Sequence, residues 1–233
     1  MKEVIVELRN VNKIYKTGDT KITALASTDI RFETNSLTLI MGPSGSGKTT
    51  LLSILGCVIY PTEGEVYYKN QNITNFKERE LAKIRLQEIG FVFQHFNLIE
   101  PLTALENVMQ PLLLQGLALP VVRQKAKEAL VNIGLGDRLE NLPKKLSGGQ
   151  KQRVAITRAL VTNPSMILCD EPTASLDAKS AEVIMRKLQE LATAGKAVVI
   201  VTHDLRLRKF ADRVVYVEEG VVSNTLKNEE DYK

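Results

Sequence analysis

An α/β architecture, with a mainly parallel sheet covered on both faces and interrupted by one helical insertion, is what this sequence predicts. Three observations carry the prediction. Short apolar, β-rich runs alternate with helical patterns at both ends of the chain, as buried parallel strands and their crossover helices do. Between Gln94 and Pro164 the strands stop and the chain reads as helical. Two apolar runs end in a glycine cluster and in a carboxylate pair, at the strand ends where α/β folds gather site residues.

Taken in order, "VIVELRNV" and "IRFE" open the chain as strands, and "LTLIMG" runs into a glycine-rich turn and the helical "KTTLLSILGCV". Then come "GEVYY", a charged helix around Glu78 to Arg85, and the strand "IGFVF". The insertion holds "LTALENVMQPLLLQG", "PVVRQKAKEALVNIG" and a helix opening at "SGGQ", with Gly116 and Pro120 as punctuation. From Met166 the alternation returns: strand "MILCD", helix "SAEVIMRKLQELATAG", strand "AVVIVTH", a short helix and a hairpin around "VVYVEEGVVS". The polar tail "NEEDYK" is expected to fray.

Composition narrows the function classes. The 233 residues carry 31 Lys plus Arg against 27 Asp plus Glu, and the two signs are interspersed, as in "FKERELAKIRLQE". Such mixing marks a solvated surface rather than a basic stripe, so no nucleic-acid partner is expected. The start "MKEVIVELRN" lacks the order of a secretory signal, and no apolar run is long enough to span a bilayer; a soluble, cytoplasmic protein is expected. Cys57 and Cys169 stand far apart without Cys-x-x-Cys spacing, so both read as small core residues rather than disulfide or zinc ligands.

"GPSGSGKT" fits the phosphate-loop pattern G-x-x-x-x-G-K-[ST] between an expected strand and an expected helix. Chance would produce the pattern in roughly one chain in a hundred of this length, and the strand-turn-helix context lowers that further. Gly42, Pro43, Ser44, Gly45, Ser46 and Gly47 would let backbone N–H groups curl around a phosphate, with Thr50 following in the helix. Lys48 would place a charge on the β and γ oxygens, and Thr49 a hydroxyl on magnesium. "MILCDEP" ends a strand in two carboxylates that period-two geometry turns in different directions. That assigns Asp170 to magnesium through water and Glu171 to a general base.

"KKLSGGQKQRVAITRAL" opens a helix at Ser147, which reads as its cap, and glycines there leave N–H groups facing an anion. "LSGGQ", lying after a phosphate loop and shortly before the apolar-"DE" strand, is the signature of ATP-binding cassette (ABC) ATPases, which the chain resembles from end to end. The resemblance implies a P-loop NTPase fold with a mainly parallel core sheet, N-terminal antiparallel β elements and an inserted helical subdomain. One domain over 1–233 is expected, with the core at 1–94 and 164–233 and the helical subdomain at 95–163.

It also implies ATP and Mg2+ as cofactors and a head-to-tail dimer with a second copy. Ser147, Gly148, Gly149 and Gln150 of one copy would then face a γ-phosphate held by the other. Gln94 matches the glutamine that contacts magnesium and the attacking water, and His203 the switch histidine. Asp177 in "ASLD" matches a loop crossing the dimer interface, with a helix cap as the plainer alternative; Tyr15 stands where the family places an aromatic under adenine, with sheet packing as the alternative. "IGFVFQHFNLIEPLTALENVMQPLLLQG" with "PTEGEV" is most similar to the lipoprotein-releasing and macrolide-exporting group. This implies a separate membrane-spanning subunit and a place on the inner face of the cell membrane. A solute importer is the nearest rival. A soluble ABC protein acting on nucleic acid or ribosomes would be expected to show paired cassettes, a long coiled coil or zinc-binding cysteines, and none is in the sequence. Phe96, Leu98, Ile99 and Leu102 either fill the helical core or form a partner surface.

Overall fold

The computed structural model describes residues 2–174 and 176–225, apart from the side chain of Thr17. The "NEEDYK" tail lies outside the described residues. Two sheets form. The first is antiparallel, in the order β2-β1-β4-β5, from β1 (Val4–Thr17), β2 (Thr20–Glu33), β4 (Glu63–Tyr68) and β5 (Gln71–Asn72). The opening strands run well beyond the apolar stretches that announce them. The first four residues of β2 are exposed, so no buried face marks that part of the hairpin in the sequence.

The second sheet has the order β10-β9-β3-β8-β7-β6. Its strands are β3 (Ser36–Met41), β6 (Ile89–Val92), β7 (Met166–Asp170), β8 (Ala197–Val201), β9 (Arg213–Glu218) and β10 (Val221–Ser223). All pairings are parallel except β9 with β10. β3 and β8 are buried at every position because both faces are covered. Successive residues of β7 show the pleat at work. Met166 and Leu168 pack with the antiparallel sheet and α1 (Lys48–Leu55), while Ile167 and Cys169 pack with α6 (Ala178–Thr193).

A third apolar cluster joins α3 (Ala104–Leu114), α4 (Leu119–Val131) and the first half of α5 (Gly148–Leu160). Ile156 and Ala159, further along α5, pack instead against the parallel sheet, so this helix bridges the helical group and the core. α2 (Glu78–Glu88) precedes β6 and buries Leu81 in the apolar cluster that joins the two sheets. The four apolar residues after Gln94 divide. Leu98 packs on the helical cluster, whereas Ile99 is 43% exposed. Both cysteines are buried and free. Among the described residues, no helix is long and apolar enough to cross a membrane.

Candidate nucleotide site

Parallel pairing sets the carboxyl ends of β3, β6, β7 and β8 side by side, and the loops that leave them build the site. After β3, residues 42–47 turn into α1, whose N-terminus carries no side-chain cap. Its first N–H groups therefore have no intrahelical acceptor and face outward with the positive end of the helix dipole. Two glycines permit the approach. A Cβ on Gly42 would lie 2.1 Å from the Val217 carbonyl oxygen, and one on Gly47 (φ 108°) 2.2 Å from that of Ala24. Any side chain at either place would push the loop off the sheets. Among the described residues the buried Ser46 hydroxyl has no hydrogen-bond partner, an orphan acceptor and donor inside an anion cradle. Lys48 donates to the carbonyl oxygens of Gly42 (2.9 Å) and Pro43 (2.6 Å), so its ammonium spans the mouth of the loop. Burial pushes the Lys48 pKa down, and the carboxylates of Glu171 and Asp170 oppose that shift.

Asp170 closes β7, and its pKa is raised by burial and by the Glu171 charge, against the pull of Lys48. Glu171 is not part of the strand. It stands at φ 47°, in the left-handed region that non-glycine residues resist, so the two carboxylates diverge through a sharp turn rather than through the pleat. Its N–H donates to the Val201 carbonyl at 3.0 Å, pinning the turn to β8. Oε1 of Glu171 lies 2.6 Å from Nδ1 of His203 and accepts from the His203 N–H at 3.2 Å. Oε2 accepts from the hydroxyl of Thr202 at 3.2 Å. The carboxylate is thus held from both sides with its orientation set.

A cavity of about 520 Å³ brings together Ser44, Gly45, Lys48, Thr49, Gln94, Asp170, Glu171 and His203. A hydroxyl, an amide and one carboxylate beside a phosphate cradle is a ligand set that suits magnesium, which keeps waters and takes phosphate oxygens. Ser147, Gly148, Gly149 and Asp177 line a separate cavity of about 500 Å³. The Ser147 hydroxyl accepts from the Gln150 N–H at 3.3 Å, and the Gln150 side chain accepts from the Ser147 N–H at 2.9 Å, a reciprocal cap. Asp177 caps α6 by accepting from Lys179 and Ser180, the plainer of its two alternatives. Tyr15 lines neither cavity. It is 40% exposed near the end of β1, with the Lys13 ammonium 5.2 Å from its ring centre. Thr202 was not legible as a site residue, although its place between a buried strand and His203 in "VTHD" is a usable signal.

Comparison with known proteins bears on all of this. The profile of the ABC transporter family matches residues 25–174. The ABC transporter ATP-binding protein MJ0796 of Methanocaldococcus jannaschii is 47% identical over 228 residues, covering 96% of this chain and 97% of its own. A dimeric structure of MJ0796 in a post-hydrolysis state, bound to ADP and Pi, superposes with a TM-score of 0.87 at 47% identity and covers 94% of this chain and 97% of that one. The macrolide export ATP-binding/permease protein MacB of Hyphomonas neptunium is 39% identical over 97% of this chain, which spans 35% of that longer protein. Clostridium perfringens cbiO1, part of the ABC transporter complex cbiONQ, gives a TM-score of 0.83 at 29% identity, over 95% of this chain and 87% of its own. Matches that run nearly the whole length of the chain assign it plainly: it belongs to the ABC transporter family, as an ATP-binding cassette of the ABC ATPase type.

Proposed function

We propose that the 520 Å³ cavity is the hydrolytic half-site of an exporter ATPase, with Glu171 as general base. The observation that carries this is the fixed carboxylate: Glu171 is oriented by Thr202 and His203 at the mouth of a loop whose amides, Lys48 and Ser46 suit a triphosphate. Gly42, Pro43, Ser44, Gly45, Gly47 and Thr50 shape that cradle. Bound magnesium would neutralise charge on the β and γ oxygens, held by Thr49, Gln94 and, through water, Asp170. Glu171 orients a water and accepts its proton as the water oxygen bonds to the γ-phosphorus. The bond from the γ-phosphorus to the bridging oxygen breaks, giving ADP and phosphate. His203 holds the carboxylate and faces the same cavity.

The signature residues Ser147, Gly148, Gly149 and Gln150 line or adjoin a different cavity from Lys48, so one chain does not surround a nucleotide with both sets. A head-to-tail pair does, with Asp177 near the shared interface and Tyr15 under the adenine. Similarity to MJ0796, whose cassettes are seen as a dimer, supports that arrangement. The core at 1–94 and 164–233 and the helical subdomain at 95–163 enclose an apolar cleft of about 380 Å³, lined by Phe91, Phe93, Pro111 and Leu114 among others. A membrane-spanning transporter subunit docks there and holds the cassette at the inner face of the membrane. Similarity to MacB, a macrolide export protein 39% identical over 97% of this chain, supports the exporter reading over a solute importer.

Glu171→Gln tests the assignment, because it keeps the shape and the acceptor facing His203 while removing the base. ATP should still bind, and kcat should fall by about 10² to 10⁴. Steady-state hydrolysis at the unsubstituted rate would remove Glu171 from the role.

A further inference from the structure

The signature helix makes two polar ties to the catalytic loops of its own chain. Gln152 is 1% exposed, and its Nε2 donates to the carbonyl oxygen of Pro172 at 2.8 Å. Pro172 directly follows Glu171, the residue in the left-handed turn. Further along α5, Arg158 donates through Nη1 to the Asn97 carbonyl at 2.6 Å and through Nη2 to the Phe96 carbonyl at 3.0 Å. Phe96 (φ 61°) and Asn97 (φ 47°) are consecutive left-handed residues, and the turn they close begins at Phe93 and contains Gln94. Two turns that L side chains resist, one carrying Glu171 and one carrying Gln94, are thus held by donors from a single helix.

Neither tie is explained by packing alone. Gln152 spends a buried amide on one backbone carbonyl, where an apolar side chain of equal length would fill the space without a polar group to satisfy. Arg158 matches its two-pronged donor to two neighbouring carbonyls, a geometry that an ammonium does not reproduce. Burial pushes the Arg158 pKa down, a cost offset by that fork.

We propose that Gln152 and Arg158 are positioning residues for hydrolysis in their own chain: they set the Glu171 turn and the Gln94 turn from the orientation of α5. The helix that offers Ser147 at its N-terminus would then also register both loops against the core. This rests on the reading of Glu171 and Gln94 given above.

The test compares Gln152→Met and Arg158→Lys with Glu171→Gln in the full chain, measuring kcat, KM for ATP, the magnesium requirement, fluorescent-nucleotide binding and the thermal midpoint. Gln152→Met should lower kcat about tenfold or more while KM stays within about twofold, as loss of positioning predicts. Arg158→Lys should lower kcat and raise the magnesium concentration needed for half-maximal rate. Should Gln152→Met not fold, Gln152→Leu removes the donor with a smaller apolar side chain and is held to the same criteria. An unchanged kcat in both variants, or a kcat that falls only in step with nucleotide binding and folded fraction, overturns the proposal. If Glu171→Gln is inactive while Gln152→Met is fully active, the positioning role alone fails. If Glu171→Gln hydrolyses normally, the base assignment fails and takes this inference with it.

Discussion

Ser147 serves one structural purpose in this fold, capping α5, and the proposed dimer gives it a second. The two can be separated by substitution. The cap consists of the hydroxyl accepting from Gln150 at 3.3 Å, a long bond, and the reciprocal 2.9 Å bond, which needs only the Ser147 backbone. Ser147→Ala removes the longer bond alone, so its cost belongs near the low end of cap losses, about 0.5 to 1 kcal/mol. In a domain of this size about 1 kcal/mol moves the thermal midpoint by roughly 2 to 4 °C. Ser147→Gly costs only a few tenths of a kcal/mol, roughly 1 °C or less, because glycine is itself an acceptable cap. Scanning fluorimetry and steady-state ATPase on both variants then give two orderings. If the hydroxyl serves a nucleotide on a second copy, both variants lose hydrolysis to a similar extent, about tenfold or more, although only the alanine is visibly less stable. Activity that is normal in the glycine variant and reduced in the alanine variant only as far as its stability falls would refute the second role.

Two more outcomes follow from the same geometry. Gly47→Ala forces a Cβ against the Ala24 carbonyl at φ 108° and should cost about 2 to 5 kcal/mol, from left-handed strain and overpacking together; chemical denaturation and nucleotide binding should both register it, and unchanged stability would contradict the packing of the loop. Asp170→Asn should stabilise the nucleotide-free protein at neutral pH. The folded-state pKa of Asp170 is raised by burial, so the stability it contributes is present in acid and is lost as pH rises through that value. The gap between variant and parent should therefore open from acid toward neutral pH in a thermal series, and a gap that is constant with pH would show that Asp170 ionises freely.

The sequence made the sheet core visible because strands buried on both faces are built almost entirely from apolar residues, as in "LTLIM", "MILC" and "AVVIV". It hid the outer half of the first hairpin for the converse reason: the first residues of β2 face water and carry no pattern. Local chemistry was legible wherever residue type and spacing are both demanded, as in the phosphate loop and at Ser147. Relations across the fold were not. Period-two reasoning separated Asp170 from Glu171, but the chain achieves the separation by leaving the strand at Glu171, a backbone choice that glutamate does not advertise. The bonds from Gln152 to Pro172 and from Arg158 to Phe96 and Asn97 join segments distant in sequence, and nothing in "QKQRVAITR" says which carbonyls its donors will meet.

The burial of both native thiols has a practical side. Cys57 sits under the antiparallel sheet with its pKa pushed up to about 11 by burial, and burial shifts Cys169 in the same direction inside the parallel sheet. The thiolate is the nucleophile that attacks a maleimide, so with both thiols buried and held protonated the folded native chain is close to silent toward maleimides at neutral pH. A single cysteine installed on the surface becomes the sole labelling address without first stripping the natural pair, and stripping would hollow two tightly packed places. Val183, 60% exposed and lining the cavity that holds Ser147, is a suitable address. A spin label or fluorophore carried there through Val183→Cys places one reporter per copy beside the signature helix, against an otherwise unmodified background.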